Sequence, residues 1–504
     1  MMTSRAAAAL CLLAAAVAPV LARQAPASVT ARLLRVTSTA DDGSAGTLRW
    51  AIESSNATPT QETIAIELRG RASAIALKSA LPPVKGPVQI VGAAWKATGE
   101  YAVIDGAGYV PGGGAESCPG ATPGQSGANV RTMTSPGLQL VDTANVEISG
   151  VEVRRFCIGI LINRAIGVNI HDNRIAENRG GAGVMLTGDD GQGNPTSTTT
   201  IHNAVMRNEF VDNGDGLELT RGAAFNLIAD NVFRSTAVNT EPSQGLEILR
   251  GNDNIVSGNR FEGYSDGLQI NWGDRNYIVA NTLTGNTFGL NLTGIGNIVD
   301  GNTITGNRIG IVVRPAEPSP VVRLTRNRIT GNGQDIRRCE AGGSCDPAMT
   351  KGAIVFGVPG LEHDGFVGSR GRGVAPNPST IQYICPAHAP QCQPAPNQGL
   401  SSPAITTALA SASDVTVTGT LRGAPTRRYL VELFGNTDPT SAESERFLDS
   451  VPASTDASGA ATFTMRFNRA HVDGIRSLTA TITSDDGATS PLSATYPFKH
   501  TPSR

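Results

Sequence analysis

Four acidic residues occupy matching places in three similar stretches of the sequence, and carboxyl groups in such an arrangement can act as acids and bases. Asp215 and Glu218 lie in Asp215-GLELTR, Glu247 lies in the next stretch, GLEILR, and Asp266 opens the third, Asp266-GLQINW. Glycoside hydrolases use paired carboxyl groups that lie roughly 5–10 Å apart. These residues therefore predict a candidate acid–base site.

Polar, cationic and aromatic residues recur at the same spacing and extend this candidate site. Arg221 and Arg250 follow the two glutamate stretches directly, and Trp272 holds the equivalent place in the third. The predicted catalytic residues are Glu218, Glu247, Asp215, Asp266, Arg221 and Arg250, and the predicted substrate-binding residues are Gln269, Asn271, Trp272 and Asn291.

Two interpretations of Glu218 and Glu247 follow from their equivalent places. Stacked like charges repel, so either Arg221 and Arg250 neutralise them as surface ion pairs, or one carboxyl stays protonated and the two form an acid–base pair. In the second case a sugar ring would lie over Trp272. A hydrolase would use the glutamates, whereas a lyase would need a base such as Arg221 or Arg250.

A repeat must position these residues, because a motif of Gly, apolar, variable, apolar recurs through the middle of the chain. Its glycines are Gly137, Gly159, Gly183, Gly216, Gly245, Gly267, Gly289 and Gly310, which lie 22, 24, 33, 29, 22, 22 and 21 residues apart. The two long intervals contain polar insertions at 188–199 and 235–244. Each copy reads as three short strands, so successive copies predict stacked coils.

Asn residues recur in step with these glycines. Seven of them precede an apolar residue by two positions: Asn173, Asn208, Asn231, Asn259, Asn281, Asn302 and Asn327. Asn tolerates the left-handed conformation of turns, and identical Asn side chains can stack between coils. The sequence therefore predicts an all-β fold, a right-handed parallel β-helix, with structural rather than catalytic Asn residues.

The two ends of the predicted column differ from its middle. Leu48, Ala51 and Ile52 lie on one face of a predicted helix that would cover the first coil. We predict a signal peptide at 1–22, a cap and first coils at 30–136, and β-helix repeats at 137–335. A Cys-, Pro- and Gly-rich cap and linker at 336–402 and a small immunoglobulin-like β-sandwich at 403–498 would follow.

Composition and charge limit the partners of the protein. A formal net charge of -2 gives no basic excess for a phosphate backbone, so nucleic acid is not expected as a partner.

Ala6 to Val17 form an apolar run that is typical of a secretory signal. We expect an exported monomer at the cell surface, outside the cell or in the periplasm, which spans no membrane once the signal is removed.

Six cysteines remain beyond that signal, an even number in a chain that is expected to leave the reducing cytosol. The pairs that we expect are Cys118–Cys157, Cys339–Cys345 and Cys385–Cys392. No pair has the spacing of a zinc site, and the acidic stretches lack the pattern of a calcium loop. The sequence therefore predicts no cofactor and no obligatory metal.

The N-terminal segment resembles that of bacterial β-helix proteins with a CSLREA-type motif. Gly46-TLRWAI stands where that family has Gly/Cys-Ser-Leu-Arg-Glu-Ala-Ile, and Ile75-ALKSALPPVKGPVQIVG is similar to its first coils. The resemblance implies the pectate-lyase-like superfold and an appended immunoglobulin-type module. That superfold implies acidic polysaccharides as one substrate class.

Two functions remain open from the sequence. The first is a protein that binds, and if catalytic cleaves, a polysaccharide or cell-surface glycan along an outward polar column of the β-helix. The second is a non-catalytic adhesion or structural protein in which the β-helix is a rigid spacer.

Overall fold

The computed structural model of the protein describes residues 32–58, 60–110, 118, 135–179, 181–188, 198–239, 242–336, 352–356, 382–383 and 395–498. The predicted signal peptide at 1–22 and the predicted pairs Cys339–Cys345 and Cys385–Cys392 lie outside these residues. Within the described ranges, none of the helices has the length and apolar character needed to cross a membrane.

The main domain is a right-handed parallel β-helix, as predicted, in which each coil adds one strand to each of three parallel sheets. The first sheet contains Arg32–Val36, Glu62–Ile66, Val88–Gly92, Val146–Ser149, Asn169–His171, Ala204–Met206, Leu227–Ala229, Ile255–Ser257, Tyr277–Val279, Ile295–Asp300 and Val321–Thr325. The second contains Ile75–Ala76, Ala102–Asp105, Val151–Arg154, Arg174–Ala176, Glu209–Val211, Val232–Arg234, Arg260–Glu262, Thr282–Thr284, Thr303–Thr305 and Arg328–Thr330.

The third sheet is the one on which the predicted site residues lie. Its strands are Pro136–Ala144, Ile158–Ile166, Ala182–Thr187, Asp215–Leu219, Gln244–Leu249, Asp266–Asn271, Phe288–Leu292, Ile309–Val313, Gly352–Phe356 and Gln382–Tyr383, with Thr200–Ile201 and Ala223–Ala224 on the end of Ile158–Ile166. The sheet thus continues past residue 335, where the repeat is no longer visible in the sequence.

Equivalent apolar residues stack along the inside of the column because the strands of successive coils pair at equivalent positions. Leu217 pairs with Leu246, which pairs with Leu268, and all three are fully buried. Phe233 stacks between Phe210 and Phe261, with ring centroids 4.4 and 4.7 Å apart. This continuous core holds the coils together.

The recurring glycines are required by close backbone contact between coils. A Cβ at Gly245 would lie 2.5 Å from the carbonyl oxygen of Gly267 and 2.8 Å from the Phe261 ring, and the other glycines of the series meet the next coil in the same way. These distances are shorter than van der Waals contact, so a side chain there would force the coils apart.

Gly245→Ala is expected to lower the free energy of unfolding by about 1–3 kcal/mol, the usual cost of overpacking. Denaturant unfolding of the two proteins measures the difference. Ser257→Ala, on the half-buried outer face of the first sheet, is the control and should be nearly neutral. Equal stability of Gly245→Ala and the wild type would contradict this account of the repeat.

The Asn residues form ladders, which confirms their predicted structural role. Asn259 Nδ2 donates to Asn281 Oδ1 and Asn281 Nδ2 donates to Asn302 Oδ1, each at 3.0 Å. The left-handed conformation that Asn tolerates is adopted here by the residues that precede these Asn, for example Ala280 with a φ of 55°. The Asn side chain thereby turns inward and satisfies backbone groups of the adjacent coils.

The N-terminal end of the column is covered by the helix Leu48–Asn56, as the sequence predicts. Thr47 caps this helix by accepting a hydrogen bond from the Trp50 N–H at 3.3 Å. Leu48, Ala51 and Ile52 are buried and join the core of the β-helix. Short helices occupy Trp95–Thr98, Arg71–Ser73, Pro396–Gly399 and Arg469–Val472.

A small β-sandwich follows the β-helix and packs on its C-terminal end. Its sheets contain Ala404–Ala410, Asp414–Arg422 and Ala460–Asn468, and Arg446–Ser454, Arg428–Asn436, Ser477–Ser484 and Tyr496–Pro497. Phe434 and Leu492 of the sandwich belong to the core of the β-helix. The sandwich therefore covers the last coil of the β-helix.

Side chains from beyond the repeats satisfy the exposed edge of the first sheet. Asn397 Oδ1 accepts from the Val322 N–H at 2.7 Å, and Thr489 Oγ1 accepts from the Leu324 N–H at 2.9 Å. An open strand edge is a site of unwanted pairing, so these contacts protect it. Most of the predicted cap at 336–402 lies outside the described residues.

Two acidic residues of the sandwich, Glu432 and Glu443, are buried where it meets the β-helix. Glu443 Oε1 accepts from the Asn332 N–H at 3.3 Å, and Oε2 accepts from the hydroxyls of Thr330 and Ser441 at 3.3 and 3.2 Å. Burial raises the pKa of Glu443 above its ordinary value of 4.5 in spite of these hydrogen bonds.

Glu443→Gln is expected to raise the midpoint of thermal unfolding at pH 7.5. The folded protein favours protonated Glu443. The contribution of this residue to the free energy of unfolding is therefore fully present below pH 4.5 and is lost as the pH rises through the raised pKa. Gln mimics the protonated form, because one amide end can accept from Asn332 while the other donates to the two hydroxyls. Thermal unfolding from pH 4 to pH 8 should show the gain shrinking towards pH 4, and a gain that does not depend on pH would refute the burial argument.

Cys118 and Cys157 form a disulfide, with their Cα atoms 5.5 Å apart. Both residues are buried, and Cys157 directly precedes the strand Ile158–Ile166 of the third sheet. The pair was one of the three expected from the sequence.

Candidate functional site

The predicted column of the third sheet has the register that the repeat implies. Glu218 pairs with Glu247, Glu247 with Gln269, and Gln269 with Asn291. Asp215 and Asp266 precede their glycines on the same outer face. The structure therefore places the acidic and amide candidates on four consecutive coils of one sheet.

The outer face of this sheet is buried, which differs from the outward, surface position expected from the sequence. Glu218, Asp266 and Gln269 are 0% exposed, and Glu247 is 6% exposed. The equivalent faces of the first and second sheets keep many half-buried or exposed residues, such as Ile255 and Arg260. The polar column is therefore an enclosed site and not the floor of an open groove.

Both ends of the first insertion lie beside this site. The Gly188 N–H donates to the Arg221 carbonyl oxygen at 2.7 Å, and the Thr199 N–H donates to the Gly222 carbonyl oxygen at 3.1 Å. The insertion thus leaves and rejoins the β-helix next to the strand that carries Glu218. Its central residues, 189–197, lie outside the described part of the chain.

Three carboxyl groups form a compact acidic cluster: Asp215, Glu218 and Glu247 each bring one oxygen to within 4.8 Å of the others. Asp215 Oδ1 accepts from the Gln244 N–H at 3.1 Å. Glu247 Oε1 accepts from Asn271 Nδ2 at 2.8 Å. Buried carboxyl groups this close can share protons, and the same three oxygens have the spacing to hold a metal ion.

A directed network of amides borders the acidic cluster. Arg314 Nη2 donates to Asn271 Oδ1, and Asn271 Nδ2 donates to Gln269 Oε1 as well as to Glu247. Gln269 Nε2 then donates to Asp266 Oδ2 at 2.8 Å. Each donor points towards an acceptor, so the guanidinium, amides and carboxylates are held in one fixed arrangement.

Apolar residues close both ends of the polar column. On the N-terminal side Ile158, Leu161, Ala182 and Met185 form a separate buried cluster on the outer face of the sheet. On the C-terminal side Phe288, Ile309 and Val312 hold the equivalent places and are buried. The acidic and amide part of the column is therefore bounded along the sheet by apolar residues, and we call this buried polar region the chamber.

Three predicted site residues lie outside this chamber or at its border. Arg250 and Trp272 follow their strands in the left-handed conformation, with φ of 62° and 55°, which turns them away from the sheet. The Arg250 guanidinium carbon lies 5.6 Å from the centre of the Trp272 ring, and the ring is 42% exposed. Arg221 is half-buried at the end of the strand Asp215–Leu219.

Arg314 is a site residue that the sequence analysis missed. It lies four residues after Gly310, in the column that contains Thr220, Asn271 and Thr293, so its spacing could have identified it. Arg314 is 4% exposed, and its side chain reaches back over Thr293 to Asn271. A cation thus lies within the acidic and amide chamber.

A family model described as a right-handed β-helix region matches residues 194–350. Among solved structures, the alginate lyase from Paenibacillus sp. FPU-7 aligns with 61% of this chain and 98% of its own, at 11% identity and a TM-score of 0.36. The exopolygalacturonase from Thermotoga maritima aligns with 56% of this chain and 85% of its own, at 14% identity and a TM-score of 0.35. These likenesses concern the fold alone.

A curated relative matches the chain along nearly its whole length. The protein named 3-dehydroshikimate dehydratase from Acinetobacter baylyi is 54% identical over 458 residues, which cover 90% of this chain and 92% of the relative. The alignment is therefore too long to omit either the site or the domains that carry it. This chain belongs to the same protein family as the 3-dehydroshikimate dehydratase of Acinetobacter baylyi.

Proposed function

We propose that the protein is a dehydratase that acts on 3-dehydroshikimate and that its reaction takes place in the chamber on the third sheet. The observation that carries this proposal is the 54% identity to the relative of that name over 92% of its length. The buried acid, amide and guanidinium groups supply the chemistry that such a reaction needs.

The reaction needs a base, an acid and an anchor for a carboxylate. 3-Dehydroshikimate is a cyclohexene carboxylate with a ketone at C3 and hydroxyls at C4 and C5. Removal of the C4 proton and cleavage of the C5–O bond release water, and transfer of a C6 proton to the ketone oxygen gives 3,4-dihydroxybenzoate. Two neighbouring carboxyl groups in different protonation states can remove the C4 proton and protonate the departing C5 hydroxyl.

We assign the base to Glu247 and the acid to Glu218. Asn271 donates a hydrogen bond to Glu247, which favours its charged form. Glu218 is fully buried next to Glu247 and Asp215. Three neighbouring carboxylates repel one another, so protonation of one of them is favoured, and we assign that proton to Glu218. Glu247 then takes the C4 proton, and Glu218 protonates the leaving C5 hydroxyl.

The burial of the chamber favours a small ligand over a polysaccharide. A glycan chain needs an open groove along several coils, whereas the apolar residues Leu161, Met185 and Val312 close this column at both ends. Cleavage of a polysaccharide stays a prediction with less support than dehydration of a six-membered ring.

The same chamber weighs against a purely structural spacer. Buried carboxylates that face one another lower stability, and apolar residues would build the sheet at lower cost. Two neighbouring coils have the apolar residues Leu161 and Met185 at the equivalent positions, so the fold does not require carboxyl groups there. A spacer would have no reason to keep Glu218 and Glu247 there.

We also propose that the protein is exported and works outside the cytosol. The Cys118–Cys157 disulfide and the apolar run from Ala6 to Val17 support this proposal. Cell fractionation with N-terminal sequencing of the mature chain tests it. A cytosolic chain that still begins at Met1 or Met2 would refute it.

Incubation of the purified protein with 3-dehydroshikimate tests the proposed function. The formation of 3,4-dihydroxybenzoate is followed by its ultraviolet absorbance and confirmed by chromatography. Neutral and acidic polysaccharides, assayed for reducing ends and unsaturated uronates, serve as the comparison. Product from a polysaccharide, and none from 3-dehydroshikimate, would overturn the proposal.

A further inference from the structure

Asn291 Oδ1 is a buried acceptor of the chamber that receives no hydrogen bond from the described residues. Asn291 lies beside Gln269 on the strand Phe288–Leu292 and is 2% exposed. A buried amide oxygen without a donor costs free energy, so native proteins keep few of them. This one lies within the chamber that we propose as the active site.

The neighbouring carboxylate fixes the orientation of this amide. Asn291 Nδ2 donates to Asp266 Oδ1 at 3.4 Å, while the other Asp266 oxygen accepts from Gln269 Nε2 at 2.8 Å. If the Asn291 amide were turned over, its oxygen would face the Asp266 carboxylate and two acceptors would repel each other. Asp266 therefore keeps Asn291 Oδ1 available to a donor from elsewhere.

We propose that Asn291 Oδ1 accepts a hydrogen bond from a ring hydroxyl of the substrate, so that Asn291 determines specificity for a hydroxylated ring. This inference rests on the proposed function for the identity of that ring. The C4 hydroxyl of 3-dehydroshikimate is retained in the reaction, so it can donate in both substrate and product. A ring over Gln269 is one coil, about 4.8 Å, from both Glu247 and Asn291.

The test compares two ring ligands that differ by this hydroxyl. 3,4-Dihydroxybenzoate and 3-hydroxybenzoate are titrated into the wild type and Asn291→Leu, and their affinities are measured by calorimetry. The wild type should bind the dihydroxy compound about 3- to 10-fold more tightly. Asn291→Leu should bind both ligands equally, since it has no acceptor to distinguish them.

A purely structural role for Asn291 would weaken both ligands by the same factor and leave their ratio unchanged. An unchanged ratio in the variant, or no preference in the wild type, would overturn the assignment. If Asn291→Leu does not fold, Asn291→Val provides the same comparison, because Val has no acceptor and Val312 occupies the equivalent place on the next strand.

Turnover tests the two proposals separately. In a wild type that forms 3,4-dihydroxybenzoate, Asn291→Leu should raise KM by about 3- to 10-fold and leave kcat within about threefold, because Asn291 takes no part in proton transfer. Failure of the wild type to turn over 3-dehydroshikimate would refute the proposed dehydratase activity. The ratio of the two ligand affinities measured by calorimetry would still test the role of Asn291.

Discussion

Glu218→Gln is expected to lower kcat for the dehydration of 3-dehydroshikimate by about 10²- to 10⁴-fold, the usual contribution of a general acid. Gln has the shape of Glu but cannot protonate the departing hydroxyl. Steady-state kinetics of product formation measures the loss, and KM should change little because the substrate still finds the same chamber.

The same substitution should leave the free energy of unfolding nearly unchanged, which separates a catalytic loss from misfolding. Gln is neutral, like the protonated Glu218 that the proposed mechanism requires, and it has the shape to fill the same buried place beside Asp215 and Glu247. Glu209→Gln is the matched control, because Glu209 pairs with Arg174 on the outer face of the second sheet, at 2.6 Å. A kcat within threefold of the wild type in Glu218→Gln would exclude Glu218 as the acid.

Arg314→Met is expected to raise KM for 3-dehydroshikimate by about 10- to 100-fold, since a hydrogen bond to a charged group contributes about 1.5–3 kcal/mol. We expect the Arg314 guanidinium to bind the substrate carboxylate at the end of the chamber where it meets Asn271. Arg314→Lys should recover only part of the affinity, because an ammonium group cannot reproduce the fork of a guanidinium.

An uncharged ligand distinguishes this role from a structural one. The variant should bind 3,4-dihydroxybenzoate far more weakly than the wild type, but both should bind 3,4-dihydroxybenzamide with similar affinity. Arg275→Met, which removes an exposed arginine paired with Asp253 at 2.7 Å, is the control and should leave both ligands unaffected. Equal losses for acid and amide would show that Arg314 only maintains the fold.

The sequence determined the architecture because each coil of a β-helix corresponds to one repeat of the sequence. A glycine recurs wherever two coils touch through their backbones, and an Asn recurs wherever a turn needs its side-chain ladder. Those landmarks fix which residues stack, so the pairing of Glu218 with Glu247 could be predicted from spacing alone. The helix over the first coil was visible in the same way, from the apolar face of Leu48, Ala51 and Ile52.

The tertiary structure decided which of the stacked residues form a site. Spacing shows that Glu218 points away from the core of the coil, but it cannot show that this outer face is itself covered. Nor can it show that the long Arg314 side chain crosses a coil to reach Asn271, or that a left-handed turn moves Arg250 onto Trp272. Burial and side-chain reach depend on segments distant in the sequence. For that reason the sequence predicted an outward surface column, whereas the structure shows a buried acidic chamber.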